Sequence, residues 1–91
     1  MPLLLRQTTR FRSDVKRLQR QGADLSKLEA VIETLVYGQS LEGRYRDHPL
    51  VGSWKGYREC HLQPDWIFIY RITSDELQLI RTGTHADLFG R

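Results

Sequence analysis

The stretch "HLQPDWIFIYRITSDELQLIRTG", residues 61–83, decides the fold. "QPDW" and "TSDE" carry turn chemistry: proline presets φ and aspartate hydrogen-bonds nearby backbone. They separate runs rich in β-branched and aromatic residues, a pattern that predicts strands over residues 54–62, 66–72 and 76–83. Side chains alternate across a strand, so the two turns set a register. With Pro64 and Asp65 central in the first turn, Leu62 faces Ile67, His61 faces Phe68 and Cys60 faces Ile69. With Ser74 and Asp75 central in the second, Ile69 faces Ile80 and Phe68 faces Arg81. One side of the sheet is then expected to carry Cys60, Leu62, Ile67, Ile69 and Ile80, the seat for any helices. The other carries Tyr57, Glu59, His61, Phe68, Tyr70 and Arg81, with His61, Phe68 and Arg81 in one row.

Working back from this sheet, "LLL" followed by Arg6 predicts a short first strand. Thr8 or Thr9 can cap a helix from about Arg10 to Gln21, stopped by Gly22. Phe11, Val15 and Leu18 fall on one arc of it, with Arg10, Arg12, Lys16, Arg17 and Arg20 opposite. Asp24 caps a second helix, Leu25 to about Tyr37, whose apolar stripe is Leu25, Leu28, Val31, Ile32, Leu35 and Val36 and whose stop is Gly38. Residues 38–53, "GQSLEGRYRDHPLVGS", have little periodicity, and a connection of that length inside a small domain is often functional. The tail "THADLFGR" adds about one helical turn. The expected architecture is α+β, in the order β-α-α-β-β-β, an antiparallel sheet with two helices on one face.

A length of 91 residues fits a single domain, residues 1–91. Nothing approaches the roughly 20 apolar residues of a membrane span. "MPLLL" is too short for the apolar region of a signal peptide. Cys60 is the only cysteine, so no internal disulfide framework exists and a reducing cytoplasm is the expected compartment. The net charge of +3 is carried entirely by the first half: seven Lys/Arg and four Asp/Glu through Ser40, against seven of each from Leu41 onward. This points to an anionic partner met by the N-terminal elements, with nucleic acid leading. A solubilising surface is the plain alternative.

Taken singly, the polar residues of the second half have ordinary readings. His48 precedes a proline in a loop, Trp54 and Trp66 suit a core or its rim, Arg81 can pair with Glu59, and His85 can cap a turn. The three histidines lack the short spacing of a zinc site. There is no phosphate-binding glycine loop, no serine-nucleophile elbow and no paired-cysteine motif. Cleavage of RNA by its own 2′-OH needs none of these. It needs groups to take one proton and give another, charge to meet a phosphorane, and aromatic faces for splayed bases. Histidine, arginine and the aromatics supply that set.

Residues 47–90, "DHPLVGSWKGYRECHLQPDWIFIYRITSDELQLIRTGTHADLFG", resemble the YafQ branch of the RelE/ParE toxin superfamily. The motifs D-H-P-L, W-K-G-Y-R, H-x-x-P-D-W and R-T-G-T-H carry the resemblance, and Phe11, Asp14 and Lys16 of "FRSDVKRL" add a weaker match. The resemblance implies the toxin of a type II toxin–antitoxin pair, a ribosome-dependent endoribonuclease that cuts mRNA in the ribosomal A site without metal or cofactor. Its implied partners are a cognate antitoxin, the 70S ribosome with its 16S rRNA, and mRNA, with no membrane. The implied catalytic residues are His48, His61, Asp65, Arg81 and His85. His85 is the general acid, His48 and His61 with Asp65 act on the 2′-OH, and Arg81 meets the phosphate. Trp66 and Phe89 are expected to orient bases, and Arg12, Lys16, Arg17 and Arg20 to meet rRNA. Cys60 before His61, and Arg91 after the usual terminal glycine, depart from the family's pattern without touching this chemistry. A ParE-type toxin acting on a protein target, and a non-catalytic RNA-binding module, are the competing readings.

Overall fold

The computed structural model describes residues 2–90; Arg91, the charge that departs from the family's pattern, lies outside them. The elements are β1 (Leu4–Gln7), α1 (Thr9–Arg20), α2 (Ser26–Val36), β2 (His48–Pro49), β3 (Arg58–Gln63), β4 (Trp66–Ile72), β5 (Glu76–Gly83) and α3 (His85–Phe89). Thr8 caps α1, as its sequence position predicts: its backbone is extended and its Oγ1 accepts the Phe11 N–H at 3.0 Å. The same hydroxyl donates to the Ile80 carbonyl at 2.8 Å, so the cap also ties α1 to β5. Asp24 acts one residue outside the second helix, accepting the Ser26 N–H and hydroxyl. No helix among the described residues is long and apolar enough to cross a membrane.

The five strands run β1-β5-β4-β3-β2. β1 lies parallel to β5 and all other neighbours are antiparallel, so the sheet is mixed rather than antiparallel throughout. With α3, the described residues hold three α-helices. Two features go beyond the expected order: the parallel docking of β1, and β2, a two-residue strand inside the long connection.

The hairpin turns stand where expected, with Gln63 opposite Trp66 across Pro64-Asp65 and Ile72 opposite Leu77. The register beyond them is corrected by two bulges. One at Leu62 sets His61 against Ile67 and Cys60 against Phe68. The other, at Ile80, sets Ile69 against Arg81 and Phe68 against Thr82. Each bulge adds one residue to its strand, and a one-residue slip moves every later side chain to the other face. Phe68 and Tyr70 therefore join Cys60 and Leu62 in the helix-side core, with Phe11, Leu28, Val31 and Leu35. Ile67 and Ile69 take the opposite face with Glu59 and His61. The expected row of His61, Phe68 and Arg81 does not form; His61, Ile67 and Gly83 stand in register instead. β4 is buried on both faces from Trp66 to Tyr70, as a central strand should be.

β1 stops at Gln7, opposite Leu79, and leaves the outer edge of β5 without a strand beyond that point. Side chains of α1 complete it. Asp14, buried on the apolar side of the helix, accepts the Thr82 N–H at 3.1 Å, and Arg17 donates to the Thr82 carbonyl at 3.1 Å. An unpaired buried backbone pair is costly, so this substitution for a missing strand is a strong local constraint.

Candidate active site

The long connection is anchored before it reaches the site. Asp47 accepts the Tyr70 hydroxyl at 2.5 Å and two hydrogen bonds from Arg58, at 3.2 and 3.4 Å. The next residue, His48, is thereby laid along β3 opposite Glu59. His48 Nδ1 lies 2.7 Å from the Arg46 carbonyl. A carbonyl only accepts, so Nδ1 carries the proton and Nε2 turns toward the sheet. Glu59, buried, meets two imidazoles with one carboxylate oxygen: its Oε1 is 3.2 Å from His61 Nε2 and 3.7 Å from His48 Nε2. The His48 and His61 rings stack at 6.1 Å. Nε2 is thus the His61 nitrogen that meets the carboxylate, and Nδ1 is its other nitrogen.

A second histidine–carboxylate pair faces the first. Asp65, in the β3–β4 turn, accepts His85 Nδ1 at 2.8 Å and the His85 backbone N–H at 3.1 Å. Those two bonds, the side-chain one foremost, hold the Asp65 carboxyl below its ordinary range, so it is ionised at neutral pH. His85 opens α3, which is fixed by a reciprocal cap between Thr84 and Asp87, and its Nε2 is left free. The His61 and His85 rings are 6.0 Å apart. Phe89, one turn along α3, lies 6.3 Å from His85 and 6.0 Å, edge-on, from Trp54, which in turn meets Tyr57. His48, His61, Asp65, His85 and Phe89 are therefore brought together. Glu59 and Trp54 are additions. Alternation along β3 places Glu59 on the face of His61, but it read as a partner for Arg81.

Four assignments change. Asp65, expected to act with His48 and His61, is paired with His85 instead. Trp66 is 6% exposed, packed in the helix-side core with its indole N–H donated to Thr82 Oγ1 at 2.9 Å, so it has no open face for a base. Arg81 pairs with Asp14, not Glu59, through Nε at 2.8 Å and Nη2 at 3.0 Å. Burial opposes the charged form of Asp14, but hydrogen bonds from Arg81, Arg17 and the Thr82 N–H overcome it and hold its carboxyl below the usual range. Arg17, expected on the outer basic face, belongs to this network, 2.9 Å from Asp14 and 3.4 Å from Asp87. Arg12, Lys16 and Arg20 remain exposed on α1. Cys60 is fully buried and its thiol is pushed up to about 12, chiefly by desolvation, which leaves it inert.

One cluster among the described residues fits a metal ion. Donor atoms of His48, Glu59 and His61 lie within 4.8 Å of one another, two imidazole nitrogens and a carboxylate oxygen, a set suited to a divalent transition metal. Its members differ from the three histidines that the sequence offered.

The chain is similar to known proteins along almost its whole length. Residues 3–90 match the family model described as a bacterial toxin of type II toxin–antitoxin system, YafQ. The mRNA interferase toxin YafQ of Escherichia coli (strain K12) is 48% identical over 81 residues, 88% of either chain. The crystal structure of the E. coli DinJ–YafQ toxin–antitoxin complex includes a chain with TM-score 0.91 and 43% identity, covering 99% of this chain and 100% of that one. A crystal structure of a metal-bound toxin from Helicobacter pylori has TM-score 0.88 and 40% identity, covering 98% and 100%. A family match running almost end to end, joined to a relative of nearly half-identical sequence, places this chain in the YafQ family of bacterial type II toxins.

Proposed function

We propose that this toxin cleaves mRNA on the ribosome through attack of the ribose 2′-OH, with no metal in the reaction. It is an mRNA interferase, an endoribonuclease that inhibits translation, and its controlling partner is an antitoxin. The observation that carries the mechanism is the pair of histidine–carboxylate units, His61 with Glu59 and His85 with Asp65, whose rings stand 6.0 Å apart. That spacing leaves room for a phosphodiester between two proton-transfer groups.

His61 Nδ1 takes the proton of the 2′-OH while Glu59 holds the ring by its other nitrogen, an orienting role of the kind a triad aspartate performs. His48 packs its ring against that of His61. The 2′-oxygen bonds to phosphorus, and the bond from phosphorus to the 5′-oxygen breaks. His85, entering the step protonated on both nitrogens, gives its Nε2 proton to that leaving oxygen. The products are a 2′,3′-cyclic phosphate and a 5′-hydroxyl. Arg81 spends Nε and Nη2 on Asp14 and would offer Nη1 to the phosphate. Phe89 and Trp54 would hold bases, the part first given to Trp66, and Arg12, Lys16 and Arg20 would meet rRNA. The reading is tested with purified ribosomes and mapped mRNA ends. Wild-type toxin should cut at defined positions, leave a cyclic or 3′-phosphate, and keep its rate when EDTA is matched with magnesium for the ribosome. A 5′-phosphate product would mean attack by water and would overturn the mechanism. Expression alone should stop growth, and co-expression of the cognate antitoxin should restore it.

A further inference from the structure

His61 also lines a second concavity, about 430 Å³, that the reaction above does not use. Lys27 at the start of α2, Arg44, Tyr45 and Arg46 in the long connection, and Gln63 at the end of β3 form its walls with His61. No Asp or Glu lines it. Arg44 lies over the Tyr45 ring at 4.8 Å and reaches an acidic partner only at 3.6 Å, in exposed Glu42. Lys27 and Arg46 make no ion pair among the described residues. Three cationic residues thus line a concave surface to which no carboxylate residue contributes, an arrangement that favours an anion. Arg46 is also the only non-glycine described residue with positive φ, at 47°, a conformation that disfavours side chains. The turn that imposes it is the one whose carbonyl sets His48.

We infer that this cavity is an RNA subsite, holding the phosphate on the 5′ side of the nucleotide whose 2′-OH attacks. The direction rests on the mechanism above: His61 works on the 2′-OH side and His85 on the leaving side, so a strand continuing past His61 runs toward its 5′ end. Lys27, Arg46 and Arg44 supply the charge, and Gln63 and the Tyr45 hydroxyl supply neutral donors to the sugar–phosphate backbone. The subsite fixes the strand next to the attacking ribose, on different elements from the basic face of α1.

The test measures toxin affinity for ribosomes programmed with a message bearing a 2′-deoxy residue at the cleavage point, so binding is read without cleavage. Single phosphates flanking that point are replaced in turn by neutral methylphosphonates. The protein variant is Lys27→Gln with Arg46→Asn, since asparagine tolerates the left-handed turn. For the wild type, neutralising the 5′-side phosphate should weaken binding about tenfold, as loss of a hydrogen bond to a charged group does. The double variant should lose about as much on the natural phosphate, and the two changes together no more than either alone, the mark of a shared contact. Lys27→Gln alone, exposed and outside the strained turn, should show a smaller loss with the same non-additivity. Losses that multiply, a sensitive phosphate on the 3′ side, or unchanged binding in the variants would each overturn the subsite. An all-ribose message tested in parallel reports the reaction itself, so failure to cleave and failure of the subsite are read separately.

Discussion

Glu59→Ala frees His61 to rotate and to exchange its two tautomers, while Glu59→Gln keeps an oxygen acceptor in the same place. If Glu59 orients the base, Glu59→Ala should lower the single-turnover rate by about 10²-fold, in the range of a general-base contribution, and Glu59→Gln should recover much of it. Ribosome affinity should stay near wild type in both. A full rate in Glu59→Ala would remove Glu59 from the mechanism. His85→Ala should lose about 10²-fold or more, again with little change in affinity. A transition metal would seize the atoms His61 needs, so added zinc should inhibit cleavage, EDTA should restore it, and Glu59→Gln should need more zinc for the same effect. The candidate histidines were legible because each sits in a dense local motif. Glu59 was legible only in part, because its partners come from a loop 11 residues away and from its own strand two residues on, and the loop contact needs the fold.

On the scale of elements, α1 carries two separable sets of cations. Neutralising Arg12, Lys16 and Arg20 should weaken ribosome binding and reduce its salt slope by about 2–3, since each phosphate contact adds about 0.7–0.9, while leaving the melting curve in place. Arg17→Ala should act differently, destabilising the fold by about 1–3 kcal/mol because Asp14 and the Thr82 carbonyl lose a donor. Urea unfolding distinguishes the two sets. Gly83 belongs to the same joint: a Cβ there would stand 2.5 Å from Arg17 Nη2, and its φ of 152° is one that side chains rarely adopt. The helices and four of the strands, β1 among them, were readable from apolar runs, periodicity, caps and turn residues. The bulges at Leu62 and Ile80 were not, because a period of two says nothing about an inserted residue; both lie beside the site, where they turn His61 and Arg81 to their final directions. β2 is too short to show a pattern, and the parallel placement of β1 depends on contacts across most of the chain.

For the molecule as a whole, the Asp14 network sets a response to acid. Its carboxyl is held below the ordinary range, so the stability it contributes is complete above the unfolded value, about 3.9, and is lost as pH falls through the lower folded value. Between pH 7 and pH 3 the wild type should lose more unfolding free energy in urea than Asp14→Asn, which starts lower; parallel losses would discount the network. The order of the strands has a further meaning for a toxin proposed to work on the machinery producing it. β1 is synthesised first of the five strands, yet its partner β5 comes last, and His61 has no facing acid until residue 85 has been added. Chains emerge N-terminus first, so neither fold nor site can close while synthesis is still upstream of these positions. A chain ending at residue 75 should be protease-sensitive and unable to cut, and restoring residues 76–89 should bring back protease resistance and cutting together. Cleavage is therefore expected only once the last strand and α3 have joined the fold, and an antitoxin is expected to matter only from then.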